Sequence, residues 1–178
     1  MKKNLIYFLV LLLFPAVLAA CSEDDLSSTS VIQPPQVVQN DFDRWLDRHY
    51  LAPYNIEFQY RYTDIESSMG YYLTPADYNQ SIALAKLVIA LCLEPYDEVT
   101  GSRDFIRAYF PKIIFLTGSP AYKSNGSIIL GTAEGGKKIT LFNVDALQIA
   151  SIDACTNYFK TIHHEFGHIL NQTKPYTT

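Results

Sequence analysis

Residues 161–170 constrain the fold more than any other part of the sequence. They read Thr-Ile-His-His-Glu-Phe-Gly-His-Ile-Leu, an apolar and uncharged background interrupted by three histidines and one glutamate. The apolar residues recur at intervals of three and four, which predicts an amphipathic helix, placed here at residues 155–171. Side chains at positions i and i+4 of a helix share one face, so His164 and His168 are expected to point the same way.

His164, Glu165 and His168 are the candidate site residues. Two imidazoles one turn apart can bind one tetrahedral Zn²⁺, and a glutamate next to the first ligand reaches a metal-bound water rather than the metal. Zinc lowers the pKa of that water to about 7, so the carboxylate can take its proton as the water attacks a carbonyl carbon. The motif therefore predicts zinc-dependent hydrolysis with Glu165 as the base. The alternative is an amphipathic helix with incidental histidines.

Two further residues of this helix carry expectations. Gly167 is unfavourable in a helix interior by about 1 kcal/mol relative to Ala, which suggests that another backbone or the surroundings of the metal pack closely against it. His163 lies about 100° around the helix from His164. We therefore expect His163 to pack against the core or to support the ligands rather than to bind the metal.

The N-terminus has the pattern of an export signal. Lys2 and Lys3 precede an apolar stretch at residues 5–14 that is too short to span a bilayer comfortably. Residues 18–21, Leu-Ala-Ala-Cys, resemble a bacterial lipobox, in which Cys21 is lipidated and becomes the mature N-terminus. An ordinary secretory signal with an incidental Cys21 is the alternative. We predict a lipoprotein signal peptide at residues 1–20 and a flexible, Ser-, Thr- and Pro-rich tether at residues 21–36.

The charge balance excludes one class of partner. The whole chain carries 14 basic and 18 acidic residues, and removing Lys2 and Lys3 with the signal peptide leaves 12 against 18, a net charge of −6. No basic stripe remains that could follow a phosphate backbone, so we expect no nucleic-acid partner. Cys92 and Cys155 could pair in an oxidising compartment, and free buried thiols are equally compatible with the sequence.

Helical and strand patterns alternate over residues 37–178, which we predict to be a single α+β domain with a mixed or antiparallel sheet. The predicted elements are a helix at 38–50 ended by Pro53, a strand at 54–62, a buried helix from 74 to Pro95, a short helix near 103–109, and strands at 112–117, 127–130 and 138–142. The alternation in residues 54–62 turns Ile56, Phe58, Tyr60 and Tyr62 inward. Asn125-Gly126 is a hairpin signal, and the C-terminal helix carries the motif.

The motif resembles the zincin class of metallopeptidases, and residues 40–175 resemble a narrower family. The shared segments are residues 53–57 (Pro-Tyr-Asn-Ile-Glu), 72–75 (Tyr-Leu-Thr-Pro), 131–136 (Gly-Thr-Ala-Glu-Gly-Gly) and the histidine block at 163–170. The family comprises zinc-binding metallopeptidase lipoproteins of Bacteroidetes that are associated with outer-membrane nutrient import. The resemblance implies a zincin-like fold, Zn²⁺, a peptide or protein substrate and an import complex as partner. Residues 22–25, Ser-Glu-Asp-Asp, look like the signal that sends such lipoproteins to the cell surface; a solvated linker is the alternative.

A catalytic zinc site has three protein ligands, and the third is missing from the expected region. One subclass of zincins would continue with Gly and His where this chain has Asn171 and Lys174, and the last ten residues contain no His, Asp or Glu. The resemblance implies a further C-terminal subdomain with an acidic ligand, so we expect the third ligand beyond Thr178. The leading hypothesis is a surface-anchored outer-membrane zinc metallopeptidase. The competing one is a non-catalytic binding lipoprotein of an import system on the same scaffold.

Overall fold

Helices and strands alternate through residues 38–174, which are the residues that the computed structural model describes. The predicted signal peptide at 1–20, the tether at 21–36 and the lipidation site Cys21 lie outside the described residues. Within them, no helix is long and apolar enough to cross a bilayer.

Two long helical segments precede most of the sheet. Helix α1 (Asp41–Leu46) continues through a π-helical turn (Asp47–Leu51) into a last α-helical turn (Ala52–Tyr54). Helix α2 (Tyr78–Val88) likewise continues through a π-helical turn (Ile89–Leu93) into α3 (Glu94–Thr100). The remaining helices are α4 (Asp104–Tyr109), α5 (Ile152–Thr173) and the 3₁₀ turns Asp64–Glu66 and Val144–Ala146.

The main sheet has four strands in the order β1-β2-β6-β5. Strand β1 (Glu57–Gln59) pairs in parallel with β2 (Ile113–Leu116), and β2 pairs in parallel with β6 (Lys138–Leu141). Strand β5 (Gly131–Glu134) pairs antiparallel with β6 and forms one edge. A separate hairpin joins β3 (Ala121–Tyr122) to β4 (Ile128–Ile129). The prediction of an α+β fold with a mixed sheet is therefore confirmed, and an all-antiparallel sheet is wrong.

The first strand is shorter than predicted, because only Glu57–Gln59 meet partners on β2. The alternating pattern nevertheless holds beyond the ladder. Ile56, Phe58 and Tyr60 are buried in the core, whereas Arg61 is exposed. The aromatic residues of this segment thus pack as expected even where no strand pairing continues.

Prolines do not end the two long helical segments, contrary to prediction. A π-helical turn closes its hydrogen bonds over five residues, as when Glu94 N–H donates to Ile89 O and Ala52 N–H to Asp47 O. The chain can then continue helically, with Pro53 and Pro95 in the first turn that follows, where a missing N–H is tolerated.

The start of α2 and its burial also differ from prediction. The helix starts later than residue 74: Asp77 caps it, since its carboxylate accepts from Gln80 N at 2.9 Å, whereas Thr74 N donates to Ser119 Oγ. The helix was expected to be buried on most sides. One face is, through residues such as Leu84 and Val88, but Leu91 is 43% exposed.

Strand β5 was not among the predicted strands. It forms because Gly135 and Gly136 both adopt positive φ, 56° and 71°, and turn the chain back onto β6. The hairpin signal at Asn125-Gly126 is confirmed, with Gly126 at φ 82° between β3 and β4. Strand β5 matters for the site, because α5 packs against it.

Candidate metal centre

Helix α5 carries all the predicted site residues. Ser151 caps it by accepting from Ala154 N at 3.3 Å, and Asp153 in the first turn complements the helix dipole. One face is buried in the core through residues spaced three and four apart: Tyr158, Phe159, Ile162, Phe166 and Ile169. This packing fixes which side of the helix remains open, and the observed bounds Ile152–Thr173 enclose the predicted 155–171.

His164 and His168 lie on the open side and converge. Their Nε2 atoms are 3.0 Å apart, the ring centroids are 4.5 Å apart, and the ring planes are inclined at 83°. Both side chains are exposed. Two nitrogen ligands of one tetrahedral zinc ion are about 3.3 Å apart, since each lies about 2.0–2.1 Å from the metal. The observed pair is within a few tenths of an ångström of that separation, so these residues fit Zn²⁺.

Glu165 points towards the sheet edge. Its side chain is half-buried, and Oε2 accepts a hydrogen bond from Ala133 N at 3.1 Å. Glu165 lies about 100° around the helix from His164, so its carboxylate does not join the imidazoles but lies beside them against β5. A base held next to the ligand pair is the position that water activation requires.

Ala133 is the contribution that sequence reasoning missed. The residue acts through its backbone, so side-chain chemistry gave no signal. A usable signal was the Gly135-Gly136 pair after a short run of small residues, because such a pair favours a hairpin and hence a strand before it. Thr161 packs closely against the same strand: a Cβ added to Gly131 would lie only 3.0 Å from Cγ2 of Thr161.

No third ligand joins the pair within residues 38–174, where no group of three His, Cys, Asp or Glu side chains could hold a metal ion. His163 points away from the pair, as expected. Its Nδ1 lies 3.2 Å from Tyr96 Oη and its Nε2 lies 3.2 Å from Leu91 O. The prediction of close packing at Gly167 is wrong for the described residues, because a Cβ built there meets nothing within 4 Å.

Cys92 and Cys155 are both free thiols. Cys92 is fully buried beside His163, and burial raises the pKa of its thiol to about 12. Cys155 is half-buried and lines an apolar groove of about 600 Å³ along α5, together with Leu87 and Leu91. The disulfide that the sequence left open is therefore not formed in this structure.

An α+β domain whose long helix presents two convergent imidazoles and a neighbouring carboxylate defines a candidate metal-dependent hydrolase. Residues 35–178 match the family described as putative zinc-binding metallo-peptidase. The chain therefore belongs to that family.

One solved structure supports the same assignment. The crystal structure of a putative zinc-binding metallo-peptidase from Bacteroides caccae shares 45% sequence identity with this chain and superposes with a TM-score of 0.63. The match covers 84% of this chain and 57% of that protein, so the chain spans little more than half the length of its structural relative. No curated protein matches the sequence.

Proposed function

We propose that the protein is a zinc-dependent peptidase in which His164 and His168 bind the metal and Glu165 is the general base. The observation that carries the proposal is the convergence of the two Nε2 atoms at 3.0 Å, with the Glu165 carboxylate on the adjacent face of the same helix. When bound, Zn²⁺ would lower the pKa of a water molecule and polarise the carbonyl to be cleaved. Glu165 takes a proton from the attacking water and returns it to the leaving amine.

The sheet edge supports a peptide as substrate. Among the described residues, strand β5 pairs with β6 alone, and Ala133 N–H is directed towards Glu165. An extended peptide can add to such an edge through main-chain hydrogen bonds, without a particular side chain. A substrate backbone laid along β5 therefore brings a peptide bond close to the base, which favours peptide hydrolysis over other zinc-dependent hydrolyses.

The third metal ligand and the location of the protein are further parts of the proposal. We expect a carboxylate or imidazole from outside residues 38–174 to complete the site, on the exposed side of His164 and His168. We also propose that lipid on Cys21 anchors the protein at the outer membrane, facing the cell exterior and near a nutrient-import complex. The lipobox and the acidic residues at 22–25 support this location.

A non-catalytic binding lipoprotein on a zincin-like scaffold is the competing function. Glu165 separates the two, because a purely structural metal site has no use for a carboxylate that does not bind the metal. The binding hypothesis predicts that a peptide ligand binds equally well with or without this carboxylate and is never cleaved.

The test compares zinc content and peptide hydrolysis in the full-length protein and its variants. Glu165→Gln should keep one zinc per chain and lose about 10²–10⁴-fold in hydrolysis rate. His164→Ala and His168→Ala should lose the metal. His49→Ala is the matched control, since His49 is an exposed histidine on another helical segment, stacked on Trp45; it should retain both zinc and activity. Wild-type protein that binds zinc but is no more active than Glu165→Gln would refute the peptidase and favour the binding protein.

A further inference from the structure

His163 makes three polar contacts with the helical layer beside α5, the longest of them 3.8 Å from its Nε2 to the Sγ atom of Cys92. Its Nε2 lies 3.2 Å from the carbonyl oxygen of Leu91, in the π-helical turn, and its Nδ1 lies 3.2 Å from the hydroxyl of Tyr96, in α3. The His163 and Tyr96 rings also pack together, with centroids 5.8 Å apart. Each ring nitrogen of His163 thus has a partner.

Pro95 explains why the Leu91 carbonyl is available. In an α-helix this carbonyl would accept from the N–H four residues later, but that residue is Pro95, which has no N–H. Leu91 is 43% exposed, and the imidazole N–H of His163 supplies a donor to its carbonyl. The sequence of α2–α3 therefore creates an acceptor, and α5 provides the donor.

The carbonyl partner defines the role of one ring nitrogen. A carbonyl oxygen can only accept, so Nε2 of His163 carries the proton. Nδ1 lies within hydrogen-bond distance of the Tyr96 hydroxyl, which can either donate or accept. Both ring nitrogens therefore have partners in the helical layer, on the side of α5 away from His164 and His168.

His163 lies on α5 next to the proposed metal ligands, so its contacts act on the orientation of that part of the helix. His163 directly precedes His164, and Glu165 follows on the opposite side of the helix, where it is bonded to Ala133 on β5. The helix is thus held from two sides at the level of the metal ligands: by the helical layer through His163 and by the sheet edge through Glu165. Such a pair of contacts limits rotation of α5 about its own axis.

We propose that His163 is a positioning residue: by bridging Tyr96 and the Leu91 carbonyl, it fixes the rotation of α5 so that the Nε2 atoms of His164 and His168 converge. The inference rests on the proposed zinc site for its functional consequence. The anchoring itself is a property of the chain without metal, so the two can be tested separately.

The first test measures amide hydrogen exchange in the metal-free, full-length protein. His163→Phe keeps an aromatic ring against Tyr96 but removes all the polar contacts of the imidazole, and His163→Gln restores one donor and one acceptor. We expect exchange in residues 162–168 to be about tenfold faster in His163→Phe, and His163→Gln to recover most of the loss. Tyr158→Phe is the matched control on the same helix, since it removes a hydrogen bond to Phe142 O remote from the ligands. It should leave exchange at residues 162–168 unchanged.

The second test measures zinc affinity by competition with a chelator. Partners that orient metal ligands are worth about 10–100-fold in affinity, so we expect that loss for His163→Phe, partial recovery for His163→Gln and none of it for Tyr158→Phe. Equal affinities of wild type and His163→Phe would overturn the positioning role. If the wild type binds no zinc, the proposed function fails, and the exchange measurement still decides the anchoring. Unchanged exchange in His163→Phe would then refute it.

Discussion

Replacing Gly167 by alanine should stabilise the metal-free protein. Gly167 lies within α5 between Phe166 and His168, and a Cβ built on it meets no atom within 4 Å beyond its neighbours and the helix's own backbone. Glycine loses more backbone entropy than alanine when a helix forms. Since the added methyl group clashes with nothing in the described chain, no steric term offsets the gain.

The magnitude follows from helix propensity alone. Gly→Ala in an exposed helix interior is worth about 1 kcal/mol, which for a domain of this size corresponds to a rise in Tm of about 3–5 °C. Urea denaturation followed by circular dichroism measures the free energy of unfolding. We expect the midpoint to rise and the slope against denaturant to stay the same, because the surface exposed on unfolding does not change.

Gly118→Ala is the matched control, because the same substitution there has no room. A Cβ on Gly118 would overlap the carbonyl oxygen of Pro75 and the carboxylate of Asp145. We expect a loss of about 1–3 kcal/mol. If Gly167→Ala gives no gain, or a loss like that of Gly118→Ala, another group packs against Gly167 in the protein, and the open surface inferred here is wrong.

Two further predictions concern titrating groups away from the ligands. Burial alone would raise the pKa of Asp43, but hydrogen bonds from Arg61, Asn40 N and Tyr60 outweigh it and hold the pKa below its usual value. The contribution of Asp43 to the free energy of unfolding is therefore complete above about pH 4 and is lost as pH falls through the lowered folded-state pKa. The unfolding midpoint of the wild type, measured as a function of pH, should fall over this acid range. The same fall in Asp43→Asn would refute the prediction. Because burial raises the pKa of Cys92 to about 12, iodoacetamide at about pH 8 should alkylate it only after unfolding; peptide mass spectrometry that finds native Cys92 modified as fast as in denatured protein would contradict this.

The sequence allowed the site helix to be predicted because its pattern is local. The spacing of His164 and His168 and the apolar residues behind them depend on helix periodicity alone. Their convergence follows from the same geometry. The bond from Glu165 to β5 could not be predicted this way, since it joins residues 32 positions apart through a backbone N–H whose strand was not recognised.

The predictions that Pro53 and Pro95 end their helices fail for one physical reason. A proline is expected to end a helix because it removes a hydrogen bond to the carbonyl four residues earlier. At Pro53 and Pro95 a preceding π-helical turn changes the hydrogen-bond register, so the chain continues. Tertiary contacts then satisfy what remains, as His163 does for the Leu91 carbonyl. The sequence pattern within one helix cannot reveal a hydrogen-bond donor that belongs to another helix.

The same geometry indicates the side from which the third ligand proposed above would approach. Glu165 lies about 100° from His164 in one direction around α5, and Gly167 lies about 60° away in the other. The first side is closed by β5, whereas the second carries no side chain and has open space above it. A third ligand reaching the exposed His164–His168 pair has its free path on the Gly167 side. We therefore expect Gly167→Ala to stabilise the metal-free protein while weakening its zinc binding. Equal zinc affinity of the wild type and Gly167→Ala would show that the third ligand approaches from another side.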